Sequence, residues 1–172
     1  MECCRAARCR QRGNHGDPTH GARIPGVAWC GMPRSRPARR LPPGPSAITR
    51  ANGHGVALTH LDKLFFPELG YTKRDLLQYY DDVSRWLLPH LRGRGITMKR
   101  YPDGIHGKCF FMKRTPASAP AWVETCEVMH RSASVIAFPM AQDRASLLWL
   151  VNLGCIDLNP WYGRCDDVNR PD

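Results

Sequence analysis

Residues 1–50 are too poor in periodic apolar side chains to build a core, and this confines any fold to the remainder of the chain. They contain ten Arg, no Lys, and only Glu2 and Asp17 as acids, together with seven Pro, six Gly and Trp29 as their one aromatic residue. No apolar period of 2 or 3.6 runs through them. Such a segment buries too little surface to offset the entropy of ordering it. It reads as a disordered basic tail, and the folded part is expected over residues 56–172. The tail carries +8 of the formal net charge of +10. A basic arm of this kind adheres to the phosphates of nucleic acid. A merely solvated tail, or a stretch translated from an early start codon, has the same composition.

The 172 residues leave room for one domain with a tail. No run of about 18 apolar residues is present, so a membrane-spanning helix is not expected. The charged start lacks the apolar h-region of a secretory signal. A reducing compartment and free thiols are therefore expected for the eight Cys. Cys4, Cys9, His15 and His20 have finger-like pair spacings. The gap between the pairs is too short for a zinc finger helix, and no metal site is assigned. Cys109 and Cys126 sit in strand-like runs and read as packing residues.

Val56–Thr59 reads as a short strand. Thr72 followed three residues later by Asp75 has the spacing of a helix N-cap and capping box. Leu76, Tyr79, Tyr80, Val83, Trp86 and Leu87 then recur at helical intervals, which predicts an amphipathic helix over 73–88, stopped by Pro89. Residues 96–101 alternate as a half-buried strand, Pro102-Asp103-Gly104 turns the chain, and 108–114 returns as a second strand. Residues 122–129 and 134–138 predict another hairpin. Asp143 is placed to cap a short helix over 145–153, nearly all apolar and therefore buried. A brief strand over 156–158 and a polar loop over 166–172 complete the chain. Strands and helices mix without βαβ alternation, so the fold class is α+β, with two hairpins, one amphipathic helix and one buried helix.

Lys73 occupies the first helical position, where a cation opposes the macrodipole. The placement makes sense if a phosphate accepts from the free N–H groups of the first turn, with Lys73 and Arg74 supplying charge and Lys63 converging from ten residues upstream. Lysines at helix starts also commonly just face water. Phe110 and Phe111 point to opposite faces of their strand. One is expected in the core. The other, among Lys99, Lys108, Lys113 and Arg114, would offer a stacking platform for a nucleobase, unless a helix covers it as well. Two-metal phosphoryl transfer needs acids at i and i+2 on one strand. Asp166 and Asp167 are adjacent, Asp81 and Asp82 read as a solvated helix surface, and Asp157 stands alone. No catalytic residue and no metal ligand is assigned.

The blocks Leu58-Thr59-His60-Leu61-Asp62-Lys63-Leu64-Phe65-Phe66-Pro67, Tyr71-Thr72-Lys73-Arg74-Asp75-Leu76, Tyr79-Tyr80 and Trp86-Leu87-Leu88-Pro89-His90-Leu91-Arg92-Gly93-Arg94 together resemble the polymerase domain of bacterial DNA ligase D, in the archaeo-eukaryotic primase superfamily. Arg100-Tyr101-Pro102-Asp103-Gly104, Phe110-Phe111-Met112-Lys113, Ala121-Trp122-Val123, Leu148-Trp149-Leu150-Val151-Asn152-Leu153-Gly154 and Asn159-Pro160-Trp161 continue the resemblance in order. The resemblance implies a primase-like nucleotidyltransferase of non-homologous end joining, found in the bacterial cytoplasm at the nucleoid. It implies that DNA ends carrying a 5′-phosphate are its partners, with a Ku-type end-binding protein beside them and no membrane. The family's phosphate-binding lysines fall on Lys63 and Lys73, its stacking aromatics on Phe110 and Phe111, and its nearby basic contacts on Lys99 and Lys113. Asn159 stands where the family usually has a His that helps hold the nucleotide triphosphate, and an amide carries no charge there. The Mn²⁺ or Mg²⁺ of the family is held by an Asp-x-Asp strand that follows the segment matching Arg170-Pro171-Asp172. The chain is thus expected to be a partial domain that binds DNA ends without catalysing synthesis. A non-functional remnant and one half of a split nucleotidyltransferase are the alternatives.

Overall fold

In the computed structural model, residues 40–129 and 134–171 are described, and all lie in the unit Pro37–Asp172. The first strands, β1 (Ala47–Ala51) and β2 (His54–Leu58), form an antiparallel hairpin with Ala47 opposite Leu58. Its turn residues Asn52 and Gly53 both have positive φ, 48° and 82°, the pairing that lets a two-residue turn follow the strand twist. β1 and the buried Leu41 lie in the stretch that sequence composition gives to the tail. The strand is hard to read because its inward positions are Thr49 and Ala51, while its one strongly apolar residue, Ile48, faces solvent. Residues 1–39, including the Cys4–His20 spacing, are outside the described part.

Next, β3 (Leu64–Phe66) and β4 (Tyr71–Thr72) form a narrow ribbon, joined by a 3₁₀ turn over Pro67–Leu69 that ends on Gly70 in the left-handed region. Helix α1 (Lys73–Leu91) starts at Thr72, and both bonds of the capping box with Asp75 are present. It runs through Pro89 to Leu91, farther than the sequence suggests. Pro89 lies in the last turn, where it deletes a single main-chain bond, and the buried Leu88 and Leu91 hold that turn down. The inward face is also rotated from the expected one. Leu76, Leu77, Asp81, Ser84, Leu88 and Leu91 are buried, whereas Tyr79 and Trp86 are exposed. Asp81 can occupy the inner face because Arg144 reaches it with two bonds, Nε to Oδ1 and Nη2 to Oδ2, the latter at 2.7 Å. It is therefore not the solvated surface acid that its helical position suggested.

The central sheet has three antiparallel strands, with β5 (Ile96–Arg100) between β6 (Phe110–Met112) and β9 (Cys155–Pro160). Its register sets Arg100 opposite Phe110 and Lys99 opposite Phe111 on one side, and Lys99 opposite Asp157 on the other. A second hairpin pairs β7 (Thr125–Met129) with β8 (Val135–Pro139) as expected. Helix α2 (Arg144–Asn152) is capped by Asp143, whose carboxylate accepts from the Ser146 N–H at 2.8 Å. It packs against α1, the β1–β2 hairpin and β9, so residues 145–151 are buried all round and an almost wholly apolar sequence fits. The fold is α+β.

The chain ends differently from the polar loop read from sequence. β10 (Gly163–Arg164) pairs with β11 (Asp167–Pro171). A two-stranded sheet of mostly polar residues leaves little hydrophobic alternation to detect. Cys126 and Cys165, 39 residues apart, are joined by a disulfide beside the small cluster of Phe138, Met140 and Trp161. This corrects the expectation of free thiols, which Cys109 and Cys155 meet. Neither cysteine of the bonded pair has a sequence neighbour to announce it, and only the approach of β7 to the β10–β11 turn brings them together.

Candidate nucleic-acid interface

The β3–β4 ribbon turns the chain back on itself, and this is what makes a ten-residue spacing a contact. The Lys73 N–H donates to the Lys63 carbonyl at 2.8 Å and the Arg74 N–H to the Leu61 carbonyl at 2.9 Å. The Asp75 N–H is taken by Thr72 Oγ1. The N–H groups expected to face an anion at the helix tip are thus already engaged. Arg74 does not supply charge there either. It donates to the carbonyls of Pro42 and Gly44 and to Asp62 at 3.2 Å, tying the segment before β1 to the helix.

The lysines converge through their side chains instead. Lys63 and Lys73 line a cavity of about 340 Å³ together with Arg100, His60, Thr59 and Asn152. Lys73 is only 5% exposed, and its Nζ donates to the Thr59 carbonyl at 2.7 Å. Burial, followed by the nearby positive charges of Lys63 and Arg100, pushes its amine down to about 8. Lys63 is half-buried and donates to the Pro102 carbonyl at 2.5 Å and to Asp103 Oδ1 at 2.7 Å. Asn152 braces the rim, accepting from the Thr59 N–H at 3.0 Å and donating to the Ala57 carbonyl at 3.1 Å. His60 sits on that rim with a φ of 55°. Three cations therefore surround one cavity, and Asp103 is the acid paired with any of them among the described residues. Neither Arg100 nor His60 is marked as a site residue by sequence spacing. The available signal was Arg100 at an inward position of β5, two residues after the buried Met98.

Phe110 and Phe111 do not divide as expected between core and surface. Both are exposed, at 41% and 64%. β6 is an edge strand three residues long, so the face meant for the core has too little sheet beneath it to bury a ring. Phe110 lies beneath the Arg100 guanidinium, with Cζ 5.3 Å from the ring centroid. On the other face, Lys99 Nζ is 6.0 Å from the Phe111 centroid and 3.3 Å from Asp157 Oδ2. Hydrogen bonds to Tyr101 and Asp157 raise the Lys99 amine above its ordinary value. Lys113 follows on the exposed end of β6.

Asn159 is not brought to the cavity. It lies on β9 opposite Thr97, in a groove of about 650 Å³ between α1 and β9. Its amide donates to the carbonyls of Thr97 and Asp157 at 3.2 and 3.3 Å, which leaves neither N–H for a phosphate. Among the described residues no three His, Cys, Asp or Glu converge to hold a metal ion. The divalent ion implied by the resemblance does not fit the residues described. No described helix is long and apolar enough to cross a membrane.

Residues 72–172 match the family model for the LigD primase-polymerase domain. The multifunctional non-homologous end joining protein LigD of Mycolicibacterium smegmatis is 32% identical over 115 residues, covering 67% of this chain and 15% of that protein. The bifunctional non-homologous end joining protein LigD of Bacillus subtilis is 38% identical over 98 residues, covering 56% of this chain and 15% of that protein. A solved polymerase domain of Mycobacterium tuberculosis ligase D in complex with DNA superimposes with a TM-score of 0.61 at 34% identity, covering 63% of this chain and 38% of the solved one. The chain thus spans about 15% of the length of these two curated relatives.

Proposed function

Because the chain belongs to the LigD primase-polymerase family, we propose that it supplies the part of such a domain that holds a broken DNA end by its 5′-phosphate. The observation that carries this is the cavity shared by Lys63, Lys73 and Arg100. A half-buried arginine and a buried lysine, with two like charges acting on that lysine, are costly when the one carboxylate nearby, Asp103, is taken by Lys63. A terminal phosphate, near dianionic at neutral pH, relieves that cost and accepts several charge-assisted bonds, each worth about 1.5–3 kcal/mol. A 5′-hydroxyl end supplies neither the charge nor the acceptors.

The exposed aromatic pair gives the rest of the end a place to lie. A base stacked on Phe111 is worth about 1–3 kcal/mol, and Lys99 beside that ring, with the exposed Lys113 two residues further along the chain, would meet the sugar-phosphate backbone. The DNA-bound polymerase domain among the structural relatives supports a DNA partner. End recognition, rather than nucleotide transfer, is the task proposed for this segment of the family domain.

Fluorescence anisotropy tests the proposal with a recessed duplex made in two forms, with and without the 5′-phosphate. Tighter binding of the phosphorylated form, by about tenfold, is expected from the parent chain and is lost in Lys63→Ala and Lys73→Ala. Equal binding of both forms by the parent overturns it.

A further inference from the structure

Arg100 stands where the cationic cavity meets the aromatic face. Its position opposite Phe110 across the β5–β6 ladder brings the guanidinium over that ring. The same side chain lines the cavity with Lys63 and Lys73. Two bonds hold it in this double role. Nε donates to the Leu153 carbonyl at 2.7 Å, just after α2, and Nη1 to Met112 Sδ at 3.5 Å, on β6. No carboxylate pairs with it among the described residues. A guanidinium is planar, so it can offer a face to a ring while its N–H edge points at an anion. A lysine amine in the same place is a point charge and cannot do both.

We propose that Arg100 is the specificity-determining residue that couples the two contacts, so that a 5′-phosphate in the cavity and a base on Phe110 bind cooperatively. The inference rests on the cavity being a phosphate site and adds to it. A phosphate accepting from the N–H edge fixes the tilt of the guanidinium plane. That plane in turn fixes the Phe110 ring beneath it, and a base stacks better on an ordered ring than on a mobile one. Without the phosphate, the Arg100 edge keeps only the weak Met112 sulfur contact besides its bond to the Leu153 carbonyl, and the ring is less constrained. Phe111, on the opposite face with Lys99, is outside this linkage and serves as the internal control.

The test measures how strongly the phosphate and the Phe110 ring depend on one another. Affinities are measured for phosphorylated and hydroxyl ends with the parent, Phe110→Leu, Arg100→Gln, Arg100→Lys and the two Arg100 variants combined with Phe110→Leu. In the parent, Phe110→Leu is expected to weaken phosphorylated DNA about tenfold, about 1.4 kcal/mol, and hydroxyl DNA only about twofold. In both Arg100 backgrounds the two losses become equal, while Phe111→Leu weakens both DNAs alike throughout. Arg100→Lys keeps the charge and carries the test if Arg100→Gln does not fold. An unequal loss that persists in Arg100→Lys overturns the coupling. A parent that prefers the phosphate but loses equally on both DNAs overturns the coupling and leaves the phosphate site standing. A parent with no phosphate preference overturns both.

Discussion

The main-chain N–H of Lys73 donates to the carbonyl of Lys63 at 2.8 Å. Their separation therefore depends on backbone pairing and on the turn at Gly70 rather than on side-chain choice. Their amines differ all the same. Lys63 has an acidic partner in Asp103, whereas Lys73 is buried against a neutral carbonyl with two cations nearby.

The lowered Lys73 amine predicts opposite trends with pH for stability and for phosphate binding. The Lys73 amine titrates near 8 in the folded chain against about 10.5 when unfolded. Between those values the unfolded state carries more of this proton, so the contribution of Lys73 to stability rises with pH. Phosphate binding needs the charged amine and falls through the same range. Anisotropy between pH 7 and 9.5 is expected to show the preference for a 5′-phosphate declining above pH 8. The melting temperature, taken as the difference between the parent and Lys73→Met, should rise for the parent over the same interval.

Phe111 is 64% exposed and outside the buried core clusters, so its removal should separate binding from folding. Phe111→Ala is expected to weaken a duplex with a single-stranded overhang by about 1–3 kcal/mol while stability stays within about 0.5 kcal/mol of the parent. Anisotropy and a urea melt measure the two quantities on the same preparation.

Asp81 is buried on α1 and is met by Arg144 from the start of α2. Removing the arginine leaves a carboxylate without its partner inside the helix pair. Arg144→Ala is expected to cost about 3 kcal/mol in chemical denaturation. Joint replacement by Asp81→Leu and Arg144→Leu should recover most of that loss, because the stranded charge is gone.

The Cys126–Cys165 disulfide ties β7 to the turn before β11. In the chain-entropy description, closing a loop of this size stabilises by about 4 kcal/mol. Reduction of the purified chain is expected to lower its melting temperature. Cys126→Ser with Cys165→Ser should melt where the reduced parent does, and should no longer respond to reductant. Peptide mapping without reductant is expected to recover the two cysteines in one cross-linked fragment.

Local rules account for most of the elements visible in the sequence. Thr72 and Asp75 announce the start of α1 because both bonds of a capping box are made within four residues. Asp143 and Ser146 do the same for α2. The alternation from Ile96 to Arg100 suffices for β5, since one face is buried by whatever packs there. Elements held mainly by distant partners were illegible. β1 has almost no apolar alternation of its own, and the inner face of α1 departs from its apolar pattern because Arg144, 63 residues away, makes an aspartate acceptable inside.

The candidate site divides in the same way. The sequence by itself determined which residues carry the charge and the rings, and that Lys63 and Lys73 lie on either side of a turn. Residue type, cap and turn chemistry depend on neighbours only a few positions away. The tertiary structure alone decided that the amines meet in a cavity rather than at a helix tip, and that Arg100 joins them with its guanidinium over Phe110. Those relations depend on the β6–β5–β9 sheet, the end of α2 and the β3–β4 ribbon each contributing residues to one cavity, a balance of buried area and compensated charge that no local spacing encodes.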